Sequence, residues 1–128
     1  MSSRILIVDD SKFLRMLLAD LLTRNGFEVL EAESGEQAVK VFLEESPDLV
    51  TLDILMPGRD GIETLQDLRA QSPEARVVMV TALGMEDYIK RALDSGADGF
   101  ILKPFSAEKV LETVQEVLER PVPGGAEG

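Results

Sequence analysis

Short apolar runs alternate along the chain with longer stretches in which apolar residues recur at helical spacing. The short runs fall at residues 5–8, 27–30, 49–52, 77–80 and 100–102. The first, third and fourth are nearly continuous and rich in Ile, Val and Leu, the pattern of parallel strands covered on both faces. Glu28 and Glu31 bracket a more alternating second run, which belongs nearer a sheet edge.

The intervening stretches carry helix start and stop signals. A first helix should begin near Ser11, turn Phe13, Leu17, Leu18, Leu21 and Leu22 inward, and end at Asn25-Gly26. Ser34 with Gln37, and Asp60 with Glu63, read as capping boxes opening a second and a third helix, closed by Ser46-Pro47 and Ser72-Pro73. A fourth should run from about Met85 to Ser95 and stop at Gly96. The fifth starts at Ser106 and carries Val110, Leu111, Val114, Val117 and Leu118 on one stripe. Five strand–helix pairs in strict alternation imply parallel strands, right-handed crossovers and helices on both faces. A closed barrel needs about eight pairs and ~250 residues. The prediction is therefore an α/β fold: one open, doubly wound, five-stranded parallel sheet with five helices, flavodoxin-like. One domain spans residues 1–120, and the Pro- and Gly-rich remainder, 121–128, has no periodicity and should be disordered.

Composition narrows the chemistry. The 128 residues include no Cys, His or Trp. This excludes disulfides, thiolate nucleophiles, Cys-ligated metal sites and a Ser-His-Asp triad. Carboxylates, hydroxyls and lysines remain. With 24 acids against 13 bases the formal charge is −11, which argues against direct nucleic-acid binding and against adhesion to an anionic membrane surface. No apolar run approaches the ~20 residues of a membrane span, and the N-terminus has no signal-peptide pattern, so a cytoplasmic protein is expected.

Ligands of an open parallel sheet bind outside the carboxyl ends of its strands. There the sequence puts Asp9-Asp10, Asp53, Thr81-Ala82 and Lys103-Pro104, all on one edge. An Asp at a strand end is most often a helix N-cap, and Asp10 could be only that, as Lys103 could be a surface lysine. Asp53 fits this less well, because Ile54-Leu55-Met56-Pro57 follows it and no helix starts there. Three converging carboxylates repel unless a cation joins them, and an all-oxygen site suits Mg2+. A metal, a lysine and a threonine hydroxyl around one carboxylate make up the equipment of phosphoryl transfer, with Asp53 as the attacking group.

These motifs together resemble the receiver domain of two-component response regulators, of the stand-alone chemotaxis type. The motifs are Asp9-Asp10 after Ile-Leu-Ile-Val, Asp53 in Leu-Asp-Ile-Leu-Met-Pro, Asp60-Gly61, Val80-Thr81-Ala82 and Lys103-Pro104-Phe105. The likeness covers about residues 4–119. It implies that Asp53 accepts a phosphoryl group from a histidine kinase. Asp9, Asp10, Asp53 and the backbone carbonyl of Leu55 would hold Mg2+, with Mn2+ as a substitute. Thr81 would bond the phosphoryl oxygen, Lys103 would pair with the phosphate, and the Lys103–Pro104 bond would be cis. Phe100 would turn inward as Thr81 moves, changing the surface of the fourth helix, fifth strand and fifth helix for a downstream protein target. That surface is also the expected place for any weak dimer of an otherwise monomeric chain.

Some positions depart from the family's usual pattern. Arg59 stands where an apolar residue often precedes Asp-Gly. Leu55 and Leu83 flank the family's path for hydrolytic water, and two leucines there should lengthen the life of the phosphorylated state. The last helix lacks the Arg-rich ending of receivers joined to DNA-binding domains, so the chain reads either as a stand-alone regulator or as a receiver excised from a longer one. On this reading the protein is a switch and not a metabolic enzyme. An Asp-nucleophile phosphatase of the haloacid-dehalogenase type would need Asp-x-Asp after its first strand and a cap domain. A flavin carrier on the same fold would need a Ser-, Thr- and Gly-rich first loop, where this chain has Asp9-Asp10-Ser11-Lys12.

Overall fold

A computed structural model describes residues 3–54, 56, 60–82 and 86–120. Leu55, Arg59, Leu83, Met85 and the segment from Pro121 onward lie outside the described residues. The elements run β1 (Arg4–Val8), α1 (Lys12–Arg24), β2 (Glu28–Ala32), α2 (Gly35–Glu45), β3 (Leu49–Leu52), α3 (Gly61–Gln71), β4 (Val77–Thr81), α4 (Glu86–Asp94), β5 (Gly99–Leu102) and α5 (Ala107–Glu119).

All strands pair in parallel in the order β2-β1-β3-β4-β5. The three continuous apolar runs are the central strands, and β2, with its two glutamates, is an edge, as the patterning predicts. Alternate side chains of each strand leave on opposite faces. Leu6, Val8, Val50, Leu52, Val77 and Met79 pack under α2, α3 and α4, against residues such as Phe42, Leu65 and Ala92. Ile5, Ile7, Leu49, Val78, Val80 and Ile101 pack under α1 and α5, against Leu18, Leu22, Val110, Val114 and Val117. Both layers are apolar and continuous, and they fix the strand register at the carboxyl edge. Among the described residues, no helix is long and apolar enough to cross a membrane.

Local signals account for most helix ends. Ser11, Ser34, Asp60 and Ser106 are N-caps whose side chains accept backbone N–H bonds from Leu14, Gln37, Glu63 and Lys109. Asp60 and Glu63 form the full reciprocal box. At α2 the second arm differs from the prediction: the Gln37 side chain accepts from the Glu33 N–H, one residue before the cap. Ser46 closes α2 in the left-handed region with φ of 50°, and Gly96 follows α4 at φ of 101°.

The inner face of α1 is a correction. Leu18 and Leu22 are buried and Leu21 is half-buried, but Phe13 is 67% exposed and Leu17 44%, with Met16 exposed beside them. The helix is apolar on several sides, so composition could not choose its inner stripe; contact with the sheet chose 18 and 22, four residues apart.

Candidate functional site

The pleat that sorts the core also builds the site. Asp9, Asp53 and Lys103 lie two positions beyond Ile7, Thr51 and Ile101, so all three side chains leave on the α1/α5 side at the carboxyl edge. There the Lys103 ammonium donates to Asp9 Oδ2 at 2.8 Å and to Asp53 Oδ2 at 3.1 Å. Asp9 and Asp53 are almost fully buried, and Asp10 is exposed. Carboxylate oxygens of Asp9, Asp10 and Asp53 all lie within 4.8 Å of one another.

The structure thus brings together the three acids and the lysine that the sequence places on this edge, and it alters one relation among them. Lys103, expected to face an anion apart from the metal ligands, bridges two of the carboxylates. It is the cation that separates charges which would otherwise repel. Burial by itself lowers the Lys103 pKa, but hydrogen bonds to Asp9 and Asp53 and the charge of both carboxylates outweigh it, and the net shift is upward from 10.5. Asp10 is not a helix cap; Ser11 fills that position, and Asp9 Oδ1 accepts the Ser11 N–H at 2.9 Å.

Thr81 is fully buried at the end of β4, on the sheet face that also carries Met79 and, paired opposite it, Phe100. Phe100 is half-buried against the α2–α4 layer. The Lys103 N–H donates to the Thr81 carbonyl at 2.9 Å, so the ends of β4 and β5 are tied directly. The Lys103–Pro104 peptide bond is cis. Leu55 and Leu83, the expected carbonyl ligand and the two expected tuners of hydrolysis, lie outside the described residues.

Three contributors escaped the sequence reading. Gly61 sits so close to the Asp53 carbonyl that a methyl group there would overlap it and come within 2.7 Å of Ile54 Cα, while the Gly61 N–H bonds the Ile54 carbonyl at 2.8 Å. Thr51, beneath Asp53, has a buried hydroxyl with no hydrogen-bond partner among the described residues. Arg15 reaches back from α1 to the Asp9 carbonyl. The Asp-Gly pair was a visible signal for the first of these; nothing local marks the other two. A groove of about 530 Å3, lined by Phe42, Leu43, Pro47, Ala75 and Arg76 among others, does not include the carboxylates in its walls.

A family model described as the response regulator receiver domain matches residues 5–115. The chain is 49% identical over 119 residues to the chemotaxis protein CheY of Bacillus subtilis, covering 92% of this chain and 99% of that one. It is 43% identical to CheY of Halobacterium salinarum, covering 92% and 98%. Among solved structures, the CheX–CheY–BeF3–Mg2+ complex from Borrelia burgdorferi aligns with a TM-score of 0.89 and 40% identity, over 92% of this chain and 90% of that one. With the match running from β1 into α5, and these CheY relatives aligned nearly end to end, the chain belongs to the response regulator receiver family, of the CheY type.

Proposed function

We propose that the chain is a phosphorylation-driven switch in which Asp53 accepts a phosphoryl group from a histidine kinase. The observation that carries this reading is the Lys103 ammonium bridging Asp9 and Asp53, with Asp10 beside them. A buried carboxylate held between a cation and further acids is poised for an incoming phosphoryl group and not for a structural cap. The donor set is all carboxylate oxygen and fits a hard divalent ion; Asp9, Asp10 and Asp53 would hold Mg2+, together with the Leu55 carbonyl. Bound there, Mg2+ supplies neutralisation of the acids and of charge developing on the phosphoryl oxygens.

The chain's own groups do the rest. An Asp53 carboxylate oxygen attacks phosphorus, the bond from phosphorus to the donor nitrogen breaks, and the leaving imidazole takes a proton from solvent. Lys103, now bonded to the Asp53 carboxylate, turns its ammonium to the phosphoryl oxygens that replace that charge. The Thr81 hydroxyl moves to bond a phosphoryl oxygen. Because the Thr81 carbonyl is bonded to the Lys103 N–H, this motion reaches the end of β5. Phe100, on the same sheet face, fills the space that Thr81 leaves, and the surface of α4, β5 and α5 changes for a downstream protein. Exposed Leu93 and Leu102 give that surface apolar contact area, and exposed Phe13, Met16 and Leu17 on α1 offer the kinase apolar area near the carboxylate edge. The change is a shift between two populated arrangements of one fold.

Beryllofluoride with Mg2+ tests this reading. Amide hydrogen exchange over α4, β5 and α5 should change when both are added, and Asp53→Asn should abolish the change. An unchanged exchange pattern in the parent, or an Asp53→Asn protein that responds like it, would overturn the reading.

A further inference from the structure

The exposed Asp10 carboxylate makes no hydrogen bond or ion pair with any described residue, yet it lies with those of Asp9 and Asp53. Asp9 is held on its own account: Oδ1 accepts the Ser11 N–H, Oδ2 accepts the Lys103 ammonium, and its N–H donates to the Ala32 carbonyl at 3.2 Å. Asp10 depends on its backbone. The peptide plane between Asp9 and Asp10 carries one carbonyl oxygen, and that oxygen accepts Arg15 Nη1 at 2.7 Å. A peptide unit is planar from one Cα to the next, so fixing its oxygen fixes the place of the Asp10 Cα. Arg15 is itself fixed. Its Nε bonds Glu31 Oε1 at 3.0 Å on the edge strand β2, and its side chain is only 13% exposed. Its helix begins at the Ser11 cap, whose carbonyl accepts the Arg15 N–H at 3.0 Å.

We propose that Arg15 is a positioning residue of the acidic site, which, braced by Glu31, grips the Asp9–Asp10 peptide and so holds the Asp10 carboxylate where a divalent cation is bound. The inference rests on the proposed function and names a residue that the chemistry itself does not touch. It makes a prediction of unusual sign. Removing a cation from a chain of formal charge −11, next to its acidic cluster, should by electrostatics alone tighten Mg2+ binding. Loss of positioning should weaken it instead, and groups that orient metal ligands are typically worth about tenfold or more in affinity.

The test is calorimetric titration of the full chain with MgCl2 and no phosphoryl donor, with circular dichroism to confirm folding. Arg15→Met should weaken Mg2+ binding about tenfold. Arg15→Lys, which keeps a donor for the carbonyl, should recover part of the loss, and Glu31→Gln, which slackens the brace, should show a smaller weakening. Should Arg15→Met not fold, Arg15→Lys carries the test, because it keeps the charge and should still bind Mg2+ more weakly than the parent, whereas Glu31→Gln also removes an acid and weakens binding by electrostatics alone. Tighter or unchanged Mg2+ binding in folded Arg15→Met, while Asp10→Asn weakens it, would overturn the role of Arg15 alone. A parent chain that binds no Mg2+ would overturn the functional reading, and this inference with it.

Discussion

Lys103→Met removes the cation between two nearly buried carboxylates and leaves an apolar chain of similar length. Unit charges at the observed 2.8 and 3.1 Å attract by about 6 and 5 kcal/mol at an effective dielectric constant of about 20. The two carboxylates, with oxygens no more than 4.8 Å apart, repel by about 3.5 kcal/mol or more on the same scale. Desolvation of the ammonium opposes the attraction by several kcal/mol, and one acid can take up a proton once the lysine is gone. The expected net loss is about 3 kcal/mol, within the range for breaking a buried pair from one side, and on the order of 10 °C in Tm. Urea or thermal unfolding in EDTA measures it. Adding Mg2+ should stabilise the variant more than the parent, because in the parent the lysine occupies the same oxygens. The pH dependence has a definite sign. The folded pKa of Lys103 lies above 10.5, so its contribution is complete below that value and is lost as pH rises through the folded pKa. The stability gap between parent and variant should therefore be constant near neutrality and close at alkaline pH. A variant as stable as the parent in EDTA, or one that gains no more from Mg2+, would refute this account of the site's electrostatics.

Four further substitutions test related parts of the reading. Gly61→Ala forces a methyl into the Asp53 backbone and should cost about 1–3 kcal/mol in urea unfolding while slowing phosphorylation from a small-molecule donor; a neutral effect on both would show that the two backbones can separate freely. Thr51→Val replaces a buried hydroxyl without a described partner by an isosteric methyl and should raise stability by about 1 kcal/mol, whereas a loss would mean that the hydroxyl is satisfied. Leu55→Asn and Leu83→Glu should each speed decay of the phosphorylated form, followed by loss of the acyl phosphate with time; if neither does, these leucines do not restrain hydrolysis.

The sheet was legible because burial on both faces leaves a simple mark. The nearly continuous apolar runs at 5–8, 49–52 and 77–80 are the central strands, and Glu28 and Glu31 mark β2 as an edge. Asp9, Asp53 and Lys103 were legible for a related reason: parallel strands bring their carboxyl ends to one edge. What escaped depends on contacts between distant segments. Leu17 and Leu18 are identical as letters, and only the sheet beneath α1 decides that one is exposed and the other buried. Arg15 looks like a surface arginine until α1 is laid beside β2, and its partner at the site is a backbone carbonyl, which no residue type announces. The Lys103 bridge needed the separation of three charges in space, 50 and 94 positions apart in sequence.

The proposed switch depends on Asp53 acting as a nucleophile toward phosphorus. The direct measurement is to incubate the chain with Mg2+ and a small phosphoryl donor, trap the acyl phosphate by borohydride reduction, and map the modified residue by peptide mass spectrometry. One modified residue is expected, Asp53, formed only with the divalent ion present and absent from Asp53→Asn. Modification at another carboxylate, or none at Asp53 in protein shown to bind Mg2+, would contradict it.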